Sequence, residues 1–431
     1  MQFAHAPLLN RSLSLNARLR RFIFTLDNTL RQRGLWAAGV FLLRALLHRG
    51  PILLRQVRAA RQTAQIVTAF EHARVTSDSG ALHLGVAVSG GLGDMLVIAR
   101  FLRDFSNGAG DVRIDVFSSN PALATWAFKG LRGFSNAYHD LLFDNLLPQF
   151  DVALRACQFV VVYKEHVKWS RLREQPALVE SLDQMLRFRR EIDVFINHHP
   201  FLDNHLARVA TFNDASRRNF LHVMSGIAYG GDAFPLHASD AAIERCGLGG
   251  RRYITVHNGF DTGFLISGKR ATKCYPHFGA VVARLKEELP DVLFVQIGAK
   301  TSENIDACDI NLVNKTSLPE AAGLIAGAEL HIDNEGGLVH VASCLGRRAA
   351  VVFGPTPADF FGYEHNINIA PPVCGNCWWM KTTWMDICPK GYAAPKCMTE
   401  QDPLGVAERI LTALGATSPV PAIAAFEAAV D

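Results

Sequence analysis

Residues 328–346 read Ala328-Glu-Leu-His-Ile-Asp-Asn-Glu-Gly-Gly-Leu-Val-His-Val-Ala-Ser-Cys-Leu-Gly346, and a short apolar run then leads into Phe353-Gly-Pro-Thr356. The pattern predicts a strand over Leu330 to Ile332, a Gly-Gly turn, a short helix carrying His340, and a second strand over Ala349 to Phe353. A turn of this kind leaves unpaired backbone N–H groups at a helix N-terminus beside the sheet edge, where a phosphate binds well.

The same alternation of strands and helices extends outward on both sides. In the second half, strands are expected at Tyr253 to Val256, Val292 to Ile297 and Ile310 to Val313, with helices opening near Pro276 and over Leu318 to Ile325. In the first half, Leu82 to Val88 is a compact apolar strand, Ser89-Gly-Gly-Leu-Gly93 a tight turn, and Asp94 to Phe105 a helix turning Met95, Ile98, Leu102 and Phe105 inward. Val112 to Phe117, Phe159 to Val162 and Val194 to Ile196 are further strand candidates, and Phe201 to Tyr229 is expected to be helical. Alternating strands and helices imply parallel sheets covered on both faces, so the fold class is α/β with two Rossmann-like domains facing a cleft. The expected divisions are an arm over 1–75, a first domain over 76–240 and a second over 241–417. A final helix from Pro403 to Leu414 is expected to pack across the domain junction.

Composition narrows the class. Of 431 residues, 49% are hydrophobic and 19% charged, which describes a globular protein with room for two cores. The net charge is +4, but residues 1–75 carry twelve Arg against Asp27 and Glu71, or +10, leaving about −6 for the remainder. The basic character therefore belongs to the arm, whose Leu15, Leu19, Phe22 and Leu26 recur at helical spacing among arginines. Such an arm suits packing on the body or another subunit, or an interfacial helix drawn to anionic lipid. No basic-aromatic module accompanies it, so nucleic acid is not an expected partner. The run Leu35 to Leu47 is broken by Arg44 and is too short to span a bilayer. With no basic n-region and cleavage site at the start, and nine cysteines, the expected location is cytoplasmic, possible membrane contact being peripheral.

Three groups of residues complete the picture. Gly93-Asp94 places a carboxylate where a strand-to-helix turn opens, able either to cap the helix or to act as a base in a cleft. Lys273-Cys-Tyr-Pro276 puts a cation before a helix, with Lys269, Arg270 and Thr272 close by. Cys374, Cys377, Cys388 and Cys397 fall within 24 residues, with Trp378, Trp379 and Trp384 among them. That clustering suggests a tetrathiolate site for zinc or iron, of a structural kind because sulfur would fill every position. His198-His199-Pro200 and His205 lack acids at a ligating spacing.

Together these stretches resemble the glycosyltransferase family that contains the lipopolysaccharide heptosyltransferases. In that family a strand leads into Asn-Asp-Ser/Thr-Gly-x-x-His, and Phe-Gly-Pro-Thr follows the next strand. Here Asn334, Gly337, His340 and Gly354-Pro355-Thr356 match, while Glu335 replaces the Asp and Gly336 the Ser/Thr. Gly93-Asp94 resembles the family's Gly-Asp pair, and Lys273-Cys-Tyr-Pro276 its Lys-x-Trp-Pro. The cysteine segment looks like the iron-binding finger of the bacterial autotransporter heptosyltransferases, a branch that glycosylates proteins.

The resemblance implies a GT-B-type inverting transferase with ADP-heptose as donor and a lipopolysaccharide or other glycan as acceptor, or alternatively the serines of a protein. It implies Asp94 as base, and donor binding by Lys273, Glu335, Gly336, Gly337 and His340, with Thr356 lining the pocket. No catalytic metal is expected. Homo-oligomerisation through the arm is a further expectation, and a non-catalytic, metal-clipped scaffold is the rival from another class.

Overall fold

The computed structural model describes residues 80–198, 202–260, 270–381 and 383–415, together with scattered positions between 23 and 43 and residue 68. Most of the expected arm, and the segment after 415, lie outside the described residues.

The first unit is built from β1 (Leu82–Val88), α1 (Leu92–Asn107), β2 (Val112–Ser118), α2 (Pro121–Phe128), β3 (Phe134–His139), α3 (Phe143–Leu146), β4 (Val152–Ala156) and β5 (Val160–Val162). Three helices follow: α4 (Pro176–His198), α5 (Leu202–Phe212) and α6 (Phe220–Ser225). The strands form one sheet in the order β3-β2-β1-β4-β5, parallel except where β5 returns against β4.

The second unit contains α7 (Ala241–Arg245), β6 (Tyr253–Val256), α8 (Phe278–Glu288), β7 (Leu293–Gln296), β8 (Ile310–Asn311) and α9 (Leu318–Gly327). It continues with β9 (Leu330–Asn334), α10 (Gly337–Cys344), β10 (Ala349–Val352), α11 (Ala358–Phe361), β11 (Ile367–Ile369), α12 (Lys396–Thr399) and α13 (Pro403–Gly415). Its six strands are all parallel, in the order β11-β10-β9-β6-β7-β8.

Local chemistry accounts for the boundaries. Ser317 and Glu320 form a reciprocal capping box at the start of α9, and Pro319 occupies its first turn. At α1 the capping partners are Gly91 and Asp94. Strands β1, β4, β6, β9 and β10 are buried along their whole length, as central parallel strands covered on both faces must be. The two-sheet α/β expectation therefore holds.

Several expected elements need correction. Val194 to Ile196 is not a strand but part of α4, whose Leu178, Leu182, Met185 and Ile192 are buried at helical spacing. A three-residue apolar run carries no period of its own, so it does not separate strand from helix. The helical stretch expected over Phe201 to Tyr229 is divided into α5 and α6. Strand β4 is interrupted in sequence by Arg155, which the fold buries against Asp144 and Tyr163. Helix α13 packs on α8 and β11 of its own unit instead of across the junction. The junction is closed by α1 and α10, which lie against each other, and by α5 on α11. Met95 and Val97 of one unit and Val339 and Val341 of the other belong to one continuous apolar cluster.

Candidate active site

The two glycine turns meet where α1 and α10 begin. After β1, Gly90 adopts φ +110°, and a Cβ there would stand 2.2 Å from Asp94 Oδ2, so only glycine lets the carboxylate lie over the turn. The Asp94 carboxylate accepts from the Gly91 N–H at 3.1 Å and from Arg217 Nη2 at 2.7 Å. Arg217 is buried, and its guanidinium also donates to the Cys157 carbonyl at 3.0 Å. Its backbone N–H donates to the Phe360 carbonyl at 2.6 Å, which ties it to the second unit. Asp94 thus caps its helix and also presents its remaining lone pairs to the cleft; its side chain is 26% exposed.

Opposite, β9 runs into Gly336 and Gly337 at the start of α10. A Cβ on Gly93 would meet His340 Cδ2 at 2.5 Å, and one on Gly337 would meet Leu92 Cβ at 3.1 Å. Close approach of the two helix N-termini, rather than backbone strain, is what requires these glycines. Gly336 has extended backbone, and no atom stands within 3.8 Å of where its Cβ would be.

Between the turns lies a cavity of about 510 Å³. Asp94 and Arg217 line it from the first unit, and Lys273, Glu335, Gly336, Gly337 and His340 from the second. Lys273 Nζ stands 3.5 Å from Glu335 Oε2, so the two residues expected at the donor form an ion pair along one wall. Trp378, Trp379, Trp384 and Met385 of the cysteine segment supply an apolar wall.

Asn334 of the signature does not face the cavity. It is buried, its Oδ1 accepting from the Tyr275 N–H at 3.0 Å and its Nδ2 donating to the Gly259 carbonyl at 3.2 Å. Thr272 donates through its N–H to the Met385 carbonyl and through its hydroxyl to the Trp384 carbonyl, both at 2.7 Å. Lys273 is therefore held between two anchored neighbours. Arg270 instead pairs with Glu303 at 3.0 Å and lines a separate pocket, and Lys269 lies outside the described residues.

Thr356, expected to line the pocket, is 1% exposed and is not part of the cavity wall. Asp333 is likewise no free carboxylate. It is fully buried, accepting from His257 Nδ1 at 2.8 Å and approached by His331 Nε2 at 3.4 Å. Burial alone would raise its pKa, but the two imidazoles hold it below the usual carboxylate range. The bond to Asp333 orients His257, whose Nε2 accepts from the Gly259 N–H at 3.2 Å on the cavity wall. His205 is not part of that wall, and His199 lies outside the described residues.

His340 Nδ1 is 2.6 Å from the Tyr363 hydroxyl, which in turn accepts from Arg100 Nη2 at 2.6 Å. Burial, and then the charges of Arg100, Arg217 and Lys273, push the His340 pKa well below its ordinary value. Its imidazole is neutral at pH 7. Sequence reasoning missed Arg217, Arg100 and Tyr363 as site residues. Arg217 is 123 positions from Asp94, and Tyr363 is 263 from Arg100, so no spacing rule connects them.

The four clustered cysteines converge. Burial first, and then the neighbouring Cys388 and Cys374, push the Cys377 thiol up to about 12. Cys397 is raised further, by burial and by Cys374, Cys377 and Cys388 together. Even so, among the described residues no three His, Cys, Asp or Glu side chains stand in an arrangement that would hold a metal ion.

The profile of glycosyltransferase family 9 (heptosyltransferase) matches residues 252–376. Among curated proteins, no sequence matches the chain. Solved structures that resemble this chain include two bacterial glycosyltransferases. ADP-heptose lipopolysaccharide heptosyltransferase II of Escherichia coli is 17% identical over 77% of this chain and 98% of its own, with TM-score 0.47. The iron-containing dodecameric glycosyltransferase TibC from enterotoxigenic E. coli is 13% identical over 78% of this chain and 77% of its own, with TM-score 0.50. The two-unit α/β architecture is of the GT-B type, a fold it shares with TibC. The stretch matched by that profile, residues 252–376, holds Lys273, Glu335, His340 and the glycine turn, so the likeness to glycosyltransferase family 9 falls on the second unit's side of the cavity.

Proposed function

We propose that this chain is an inverting glycosyltransferase that moves a heptose from ADP-heptose to a hydroxyl of a glycan, with lipopolysaccharide as the favoured acceptor class. The observation that carries this reading is the meeting of Asp94 with the β9–α10 glycine turn across one cavity that Lys273 also lines. The diphosphate would sit against the N–H groups of Gly336 and Gly337, with Lys273 offsetting the charge that builds on the leaving nucleotide. Glu335 would turn from Lys273 to sugar hydroxyls. The acceptor hydroxyl would attack the anomeric carbon from the first unit's side and lose its proton to Asp94, which Arg217 and Gly91 hold in place. The C–O bond to the diphosphate breaks as the new glycosidic bond forms, with inversion at carbon.

A second reading, with a protein serine as acceptor, rests on the resemblance of the cysteine segment to the finger of the autotransporter heptosyltransferases. Cys374, Cys377, Cys388 and Cys397 would hold an iron or zinc ion that staples the segment carrying Trp378, Trp379 and Trp384. Homo-oligomerisation, as the name of TibC describes for that protein, and contact with a membrane surface are proposed for the arm. No described helix is long and apolar enough to cross a membrane.

The deciding experiment follows ADP release from ADP-heptose by the purified chain, with and without heptose-deficient lipopolysaccharide or a serine-rich autotransporter segment. Acceptor-dependent ADP release supports the transferase and identifies the acceptor. No release under any condition returns the chain to the scaffold reading.

A further inference from the structure

The contacts behind His340 determine where its proton sits. A guanidinium only donates, so the bond from Arg100 Nη2 uses a lone pair of the Tyr363 oxygen and leaves that hydroxyl's own proton to be placed. Burial pushes Tyr363 up to about 12, so the phenol keeps its proton. Among the described residues the acceptor within its reach is His340 Nδ1, at 2.6 Å. Nδ1 is then an acceptor, and a neutral imidazole that accepts at Nδ1 carries its hydrogen on Nε2. Nε2 has no protein hydrogen-bond partner among the described residues and lies on the Gly93 side of the ring, 3.0 Å from where a Gly93 Cβ would be. His340 itself lines the cavity.

Arg100 is fully buried and anchored at its other nitrogen by Asp232, 3.2 Å from both the carboxylate Oδ1 and the carbonyl. The relay therefore runs from Asp232 through Arg100 and Tyr363 to His340, crossing from α1 of the first unit into the second.

We propose that Arg100 and Tyr363 are positioning residues that hold His340 as an Nε2–H donor aimed at a diphosphate oxygen of the nucleotide bound in the cleft. The ligand part rests on the function proposed above; the tautomer does not. A neutral donor fixed in this way stabilises the charge that develops on the leaving group without reorganising during the reaction.

Nitrogen NMR of the full chain labelled with ¹⁵N-histidine tests it, His340 being assigned by its missing signal in His340→Gln. The expected spectrum has a protonated Nε2 and a bare Nδ1, and Tyr363→Phe is expected to lose that preference. Added ADP is expected to shift the Nε2 signal, and Tyr363→Phe to lower kcat/KM about tenfold, the loss of one well-placed hydrogen bond. A proton on Nδ1 of His340 in the wild type overturns the proposal. So does ADP binding that leaves His340 unmoved. ADP that does not bind at all, to a chain whose His340 holds the expected tautomer, overturns the donor reading and only the ligand part of this one.

Discussion

Arg217 donates to the Asp94 carboxylate across 2.7 Å, joining the loop between α5 and α6 to the first turn of α1. The same carboxylate is therefore a helix cap, half of an ion pair and the candidate base. Asp94→Asn keeps the shape and one of the two oxygens that accept from Gly91 and Arg217, but it cannot take up a proton. The expected result is a folded protein with transfer reduced about 10²-fold or more. Circular dichroism and steady-state kinetics check both halves, and turnover within a few-fold of wild type would leave Asp94 as a cap.

Lys273→Ala removes the cation from the cavity wall and leaves Glu335 without its 3.5 Å partner. The expected loss is about 2–4 kcal/mol in leaving-group stabilisation, with weaker ADP binding. Calorimetry with ADP and single-turnover kinetics read the two effects separately.

Asn334→Ala would orphan the Tyr275 N–H and the Gly259 carbonyl, both bound by its amide. Two unsatisfied buried groups cost about 2–4 kcal/mol together. The melting temperature is expected to fall, and because Tyr275 stands two residues from Lys273, ADP affinity is expected to fall with it. A variant as stable as the wild type would show that the loop needs no latch.

His340 gives a pH dependence of definite sign. Its folded pKa is depressed by burial first and then by Arg100, Arg217 and Lys273, whereas in the unfolded chain it titrates near about 6.5. Below that value the unfolded chain binds a proton that the folded one refuses, so stability falls as pH falls. Urea midpoints are expected to be lower at about pH 5.5 than at about pH 7.5, and His340→Gln is expected to reduce the difference.

Protein purified without chelator under reducing conditions is expected to carry about one iron or zinc per chain. Elemental analysis measures it, and Cys388→Ser is expected to release the ion and lower the melting temperature, because binding energy at such a site is also folding energy. Since Trp384 and Met385 hold Thr272 beside Lys273, that variant should also weaken ADP binding.

Local pattern was enough for much of this protein. The apolar strands β1, β6, β9 and β10, the glycine turns after β1 and β9, and the matches at Asn334, Gly337 and His340 were legible because each depends on residues a few positions apart. Asp94, Lys273 and Glu335 were legible for the same reason, as side chains placed by the turns that precede them. The Asp94–Arg217 pair, the Arg100–Tyr363–His340 relay and the His257–Asp333 bond were not, because those partners are separated by 23 to 263 residues and meet only when the chain folds. Nor does pattern distinguish a residue that faces a ligand from one that holds up the residue that does. Asn334 and Thr356 carry signature identities yet are buried, since a strand or turn position sets spacing along the chain, while burial is decided by what packs against it.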